Sequence, residues 1–143
     1  MSRRSKLLFL LLLIVQAAHS VEEYVTRLFD VFAPARFISG LISDDLAFGF
    51  AIANIVLIAI FACCYVGPVR AGGRAGRFVA IIWVAIELVN GVGHTTLAVL
   101  NRGYFAGAIT AVFLLVAATS LAFSLVADRR RCDLVAPSVG SAG

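Results

Sequence analysis

Charged residues are scarce in this chain: they make up 14% of 143 residues, whereas 62% are hydrophobic and the mean hydropathy is +1.01. A soluble domain has about 25% charged residues, so the composition excludes that class and indicates an integral membrane protein. The net charge of +4 comes from basic residues clustered beside the apolar segments. Because membrane topology explains such clusters, we expect no nucleic-acid partner.

Cysteine is also rare, and its spacing excludes the common uses of thiols. Cys63 and Cys64 are adjacent in an apolar run, and Cys132 lies in a basic tail; they form neither a zinc-ligand spacing nor an even disulfide framework. The sequence has no HExxH or EF-hand spacing, and the glycine-rich segment 72–76 lacks the lysine of a phosphate-binding loop. We interpret the cysteines as small apolar side chains.

Long apolar runs predict four transmembrane helices, at about residues 7–26, 46–66, 78–100 and 104–126. We expect an all-α membrane bundle that forms one domain over residues 1–131, with a disordered tail at 132–143. Residues 27–45 carry mixed charge and are interrupted by Pro34 and Gly40. This segment fits either short amphipathic helices along the membrane interface, able to cover a site, or an ordinary connecting loop.

The first apolar run has two interpretations. Basic residues at 3–6 followed by apolar residues from Leu7 to Ala18 also describe a secretory signal peptide. The run is about 12 residues, short of the roughly 20 that span a bilayer, so a spanning helix must continue through His19 and Glu23. We favour the uncleaved helix, because polar residues in the other spans would then gain partners.

The positions of the basic clusters predict the orientation. They lie at residues 3–6, 70–77 and 129–131, which fall on one side of a four-span protein. The positive-inside rule places that side in the cytoplasm. We therefore expect a multi-pass protein of the plasma membrane with both termini cytoplasmic.

Polar side chains concentrate in the half of the predicted bundle that lies away from the basic loops. Charge buried in a membrane is costly and by default marks a functional site. At about 100° per residue, Glu87 and His94 differ by only about 20° around the third span. Gly103 and Gly107 have GxxxG spacing, which would let the fourth helix approach closely. The candidate site residues are His19, Glu22, Glu23, Asn54, Glu87, Asn90, His94, Tyr104 and Thr110.

Three short motifs carry a resemblance to a known family. His19 to Glu23 has the pattern HxxEE, Asn90 to His94 has NxxxH, and Tyr104 to Thr110 departs from YxPGxxT only at Ala106. In this order they resemble the HXXEE domain family of small bacterial and archaeal integral membrane proteins, over about residues 7–126. The resemblance implies an enzyme without an assigned reaction and supplies no substrate. It also implies that the motif residues are the signature positions of the family.

The function we favour from sequence is an enzyme that acts on a lipid-like or otherwise apolar small molecule. A carboxyl group in an apolar bundle can hold a proton near neutral pH, and an imidazole beside it can accept one. Isomerisation or cyclisation of such a substrate would need only an acid and a base of this kind. In this scheme the acid–base groups are Glu22, Glu23, His19, His94 and Glu87, and the substrate-positioning groups are Asn90, Tyr104, Thr110 and Asn54.

Three alternatives stay open. Two imidazoles with one or more carboxylates of Glu22, Glu23 and Glu87 can bind zinc or iron. Acids and imidazoles in membrane spans also describe a small transporter, a proton relay or an accessory subunit, for which a homo-oligomer could supply the pore. A buried network can also serve only to fix the register of the bundle.

Overall fold

The computed structural model describes residues 1–135, and within them every regular element is helical. Four segments are long and apolar enough to cross a membrane: Arg3–Val25, Leu46–Val69, Gly73–Leu100 and Ala108–Arg131. The predicted all-α class with four spans is therefore confirmed. In chain order the helices are α1 (Arg3–Val25), α2 (Leu28–Val31), α3 (Ala33–Ile42), α4 (Leu46–Cys64), a π-helical turn (Tyr65–Val69), α5 (Gly73–Leu100) and α6 (Ala108–Val135).

Local chemistry sets where the first helices begin and end. The Ser2 hydroxyl accepts a hydrogen bond from the Ser5 N–H at the start of α1, and the Asp45 carboxylate accepts two backbone N–H groups at the start of α4. Both residues supply the side-chain acceptor that a helix N-terminus lacks. Arg27 adopts a left-handed conformation (φ 56°) after the last turn of α1, which stops that helix before α2.

The long helices alternate in direction, so the bundle has two chemically different ends. At one end the Ser5 hydroxyl lies 2.8 Å from that of Ser124, and the Lys6 ammonium donates to the Arg70 carbonyl. We call this the basic end, because the three basic clusters gather there. The opposite end carries α2, α3 and the turn between α5 and α6, and we call it the short-helix end. That the basic end faces the cytoplasm stays a prediction.

An apolar core fills the half of the bundle next to the basic end. The rings of Phe61 and Trp83 stack with centroids 3.8 Å apart, and Phe9 meets Phe61 edge-on at 4.9 Å. Around the outside, large apolar side chains such as Val89 and Val99 are exposed. Such a surface would be unfavourable in water and suits contact with lipid.

The last span begins and ends later than predicted. Its first helical residue is Ala108 and not Tyr104, because Gly107 has a φ of +84° that an α-helix cannot contain. Gly103 and Gly107 therefore precede the helix, and the predicted GxxxG packing within it is wrong. At its other end α6 runs to Val135, so the tail predicted to be disordered from residue 132 begins as helix. The rest of that tail, residues 136–143, lies outside the described residues.

The segment between the first two spans forms helices, as one of its two interpretations held. Pro34 lies in the first turn of α3, where it costs no hydrogen bond. One face of α3 packs so closely on α4 that a Cβ atom on Gly49 would lie 2.2 Å from the Ser39 carbonyl oxygen. The other face exposes Phe37 and Leu41, as expected of a helix at a membrane interface.

Candidate functional site

The site is built at the short-helix end, where the last turns of α1 meet α5 and α6. His19 and Glu23 are four residues apart on α1 and so project from one face. His94 projects from α5 towards the same point. All three side chains are buried, with exposed fractions of 0%, 6% and 5%. The structure thus unites the first two sequence motifs in one buried cluster.

One carboxylate oxygen of Glu23 faces both imidazoles. Its Oε1 atom lies 3.0 Å from Nε2 of His94 and 3.4 Å from Nε2 of His19. The two rings meet edge to face, with centroids 4.8 Å apart. Among the described residues, Nε2 of His19 has no hydrogen-bond partner although it is buried. Three potential ligand atoms therefore converge within 4.8 Å of one another.

The other ring nitrogens of the two histidines are fixed by oxygen atoms. Nδ1 of His94 lies 2.6 Å from the Ala106 carbonyl oxygen, which can only accept, so this nitrogen carries the proton. Nδ1 of His19 lies 2.7 Å from the Thr110 hydroxyl, which donates its own proton to the Glu22 carboxylate. The hydroxyl must then accept from His19. Each neutral imidazole is left with its Nε2 lone pair directed at Glu23.

Glu22 does not join this cluster; it binds the start of α6. Its Oε2 atom accepts the Thr110 N–H at 2.7 Å, and its Oε1 atom accepts the Ile109 N–H at 3.1 Å and the Tyr104 hydroxyl at 2.7 Å. These two N–H groups belong to the first turn of a helix, where they lack partners within the helix and where negative charge is favourable. Glu22 therefore joins α1 to α6 and holds Thr110 against His19.

Tyr104 belongs to this junction and lies outside the membrane-spanning segments. Desolvation by its surroundings, and then the hydrogen bond to the Glu22 carboxylate, raise the pKa of the Tyr104 phenol above its ordinary value. The phenol is therefore a hydrogen-bond donor, and it remains protonated through the physiological pH range.

The backbone at Gly107 passes close to both histidines. A Cβ atom built on it would lie 2.8 Å from Nδ1 of His94 and 2.9 Å from Cε1 of His19. Its positive φ is also one that side chains disfavour. The third motif thus contributes a donor to Glu22 at Tyr104, space for the imidazoles at Gly107, and an acceptor for His19 at Thr110.

The remaining predicted residues lie near the cluster without joining it. Asn90 lies beside the Glu87 carboxyl and lines a cavity together with His94. Glu87 is buried, and its Oε2 atom has no hydrogen-bond partner among the described residues. Asn54 donates to the Phe50 carbonyl of its own helix at 3.1 Å and borders the same cavity. Gly103 lies in the turn, and a Cβ atom built on it would meet no site residue within 4 Å among the described residues.

Sequence reasoning missed two members of the site. Gln16 is buried one turn before His19, donates to Ser20 at 3.3 Å and leaves its own oxygen without a partner among the described residues. Its spacing of three from His19 was a usable signal, since residues three apart share a helix face. The Ala106 carbonyl acts through the backbone, so no residue type could have indicated it.

The donor set fits a divalent metal ion. Zinc bound by imidazole and carboxylate at about 2.0–2.2 Å in a tetrahedron has ligand atoms about 3.3 Å apart. The two distances from Glu23 are 3.0 and 3.4 Å, and all three ligand atoms lie within 4.8 Å of one another, so a bound ion would draw the two imidazole nitrogens together. Metal-binding histidines also donate their second N–H to an oxygen acceptor, which fixes the ring. Both histidines here do so. The site offers three protein ligands and leaves further positions for water or substrate.

Comparison with known proteins adds a family and no reaction. Residues 10–122 match the model of a family described as "Protein of unknown function with HXXEE motif". No curated protein and no solved structure matches the chain. The matched region contains every residue of the buried cluster and of the junction made by Glu22.

Proposed function

The chain belongs to the HXXEE family, and from this premise we propose that it is an integral membrane enzyme whose metal ion is held by His19, Glu23 and His94. The observation that carries the proposal is the convergence of two Nε2 lone pairs and a carboxylate oxygen in a buried site. Electron-rich atoms at this spacing repel one another unless a cation or shared protons lie between them. Two histidines and one carboxylate are a common ligand set for zinc and for iron(II).

The surrounding residues hold these ligands in place. The Ala106 carbonyl and the Thr110 hydroxyl fix the tautomers of His94 and His19, and Glu22 fixes Thr110. Asn90 lines the adjoining cavity, where its amide can hydrogen-bond a substrate. When bound, a metal of this kind polarises a carbonyl group or activates a water molecule. We propose substrates that reach the site from the bilayer, because the protein is made of membrane-spanning helices.

A metal-free acid–base enzyme is the second candidate, and one distance favours it. Nε2 of His94 lies 3.0 Å from Glu23, which is also the spacing of a hydrogen bond with a shared proton. A transporter has less support, since an apolar core that includes Leu12, Trp83 and Leu114 separates the site from the basic end. A proton path would need polar groups through that core.

Metal analysis of the purified protein tests the proposal. Full-length protein extracted from membranes in mild detergent should contain about one equivalent of zinc or iron. His94→Ala should lose it because one of three protein ligands is gone. Thr95→Ala should keep it because, in the part of the chain that the structure describes, the Thr95 hydroxyl donates only to the Gly91 carbonyl of its own helix. Intact mass of the same sample shows whether residues 1–20 are retained, as the site requires.

A metal content below about 0.2 equivalents of every transition metal, both as purified and after reloading, would contradict the metal centre. That result would favour the acid–base enzyme, provided that circular dichroism shows the wild type to be helical.

A further inference from the structure

A cavity of about 370 Å³ opens beside the buried cluster, between α1, α3, α4 and α5. We call it the head pocket. Its apolar walls include Phe32, Ile38 and Leu57, and α3 covers it from the short-helix end. This volume lies at the low end of ligand sites, which span about 300–1,000 Å³, so it cannot enclose a whole two-chain lipid. The polar side chains that line it are Gln16, Glu23, Asn54, Asn90 and His94.

No lysine or arginine lines the head pocket in the described part of the chain. The basic side chains of α3 and of the residue before α2 are engaged elsewhere. Arg36 of α3 donates to the backbone carbonyls of Phe29 and Asp30, and Arg27 pairs with the Asp30 carboxylate at 2.5 Å. A phosphate monoester head group, with about 1.5 to 2 negative charges, would therefore have no cationic side chain to compensate it. The Glu23 carboxylate already offsets one of the two charges of the metal ion, so part of the charge on the phosphate would stay unpaired in a buried place, which is costly.

One polar atom beside the pocket is a buried acceptor without a partner among the described residues. Gln16 lines the pocket, and its Oε1 atom is buried with no partner among the described residues. Asn90 lines it as well and offers an amide that can donate or accept. A buried acceptor without a donor costs free energy. A hydroxyl or an amide N–H on a bound molecule would remove that cost.

A second cavity, of about 560 Å³, continues along the membrane-facing groove between α1 and α4. We call it the tail groove. Phe50 and Asn54 line both cavities, so the two are neighbours. Its lining is almost entirely apolar and includes Val21, Ile55 and Ile58. The groove thus leads from a small polar-ended pocket to the bilayer along an apolar surface.

We propose that the substrate is a single-chain amphiphile with an uncharged head group that carries a hydroxyl or an amide. The head occupies the head pocket against Glu23, His94 and Asn90, and the apolar chain lies in the tail groove. This assignment rests on the proposed function, because it places the head group at the metal ligands. It names a substrate class: monoacyl esters, fatty alcohols or fatty amides, and not lipids with a phosphate monoester head.

Photolabelling with two probes of equal chain tests the assignment. The full-length protein in phosphatidylcholine nanodiscs is exposed to a monoacylglycerol or a lysophosphatidate, each with a diazirine at the middle of the same acyl chain. We expect the neutral probe to label the protein about tenfold more strongly. This is the ratio of affinities expected if the unpaired charge costs about 1.4 kcal/mol of binding free energy. Its label should map to α1 or α4 residues of the tail groove. Ala53→Trp, which fills the head pocket, should reduce that label. Ile60→Trp should not, because Ile60 lies about two turns further along α4, is exposed and lines neither cavity.

Equal labelling by both probes would contradict the preference for an uncharged head group. Labelling spread evenly over the lipid-facing surfaces of α5 and α6 would contradict binding in the two cavities. The labelled positions of the wild-type protein give this result even if Ala53→Trp fails to fold. The metal content of each sample is measured alongside. Specific labelling of a protein that binds no metal would reject the proposed metal centre and leave the binding assignment supported.

Discussion

Changing Glu23 to glutamine should abolish metal binding, whereas changing Glu22 to glutamine should chiefly weaken the junction between α1 and α6. Within residues 1–135, Glu23 supplies the only carboxylate oxygen that faces both histidines, and an amide is a poor ligand for zinc. We expect metal affinity to fall by more than about 100-fold, beyond the 10- to 100-fold typical of losing a residue that only supports a ligand. Competition with a coloured chelator measures this affinity.

Glu22→Gln provides the matched comparison, because it is the neighbouring residue and the same chemical change. The new amide would present N–H groups to donors that now contact a carboxylate, including the N–H of Thr110 and the Tyr104 hydroxyl. Hydrogen bonds to a charged group are each worth about 1.5–3 kcal/mol, so the thermal unfolding midpoint should drop clearly. Metal affinity should fall less than in Glu23→Gln. Equal losses of affinity in the two variants would contradict the separate roles.

Gly107→Ala should displace both histidines with the smallest possible side chain. The added methyl group would lie within 3.0 Å of ring atoms of both His94 and His19, and alanine is strained at a φ of +84°. We expect metal affinity to fall by at least about 10- to 100-fold, as when a supporting group is lost. The chelator competition assay measures it, and far-ultraviolet circular dichroism reports whether the helices persist.

Gly103→Ala is the control for this change. It lies in the same turn, but the nearest atom to an added Cβ there is the Asn101 carbonyl oxygen at 3.8 Å, which is ordinary contact. Its metal affinity should equal that of the wild type. If Gly107→Ala also bound metal normally, the two imidazoles could not be arranged as described.

The sequence predicted the spans well because each depends on a local property. An apolar run long enough to cross a bilayer forms a helix wherever it lies. The start of α6 was misplaced because it depends on Gly107, which has a positive φ and lies where a side chain would meet two histidines on other helices. Apolar periodicity carries no information about such a contact.

The sequence indicated which residues belong near the site, but not which helix each of them contacts. At about 100° per residue, His19, Glu22 and Glu23 fall within about 100° of one another around α1, which is one helix face. This spacing does not reveal that Glu22 contacts α6 while Glu23 contacts His94. That division depends on where the neighbouring helices lie. Gln16 was overlooked because an amide in an apolar run resembles an ordinary helix-to-helix contact.

X-ray absorption spectroscopy of the metal-loaded protein tests the metal centre most directly. For protein loaded with one equivalent of zinc, we predict a first shell of nitrogen and oxygen at about 2.0–2.2 Å, with the multiple-scattering signature of two imidazoles that His94→Ala reduces to one. A first shell without imidazole scattering, or one containing sulfur from the cysteines, would contradict the assignment of His19, Glu23 and His94 as the metal ligands.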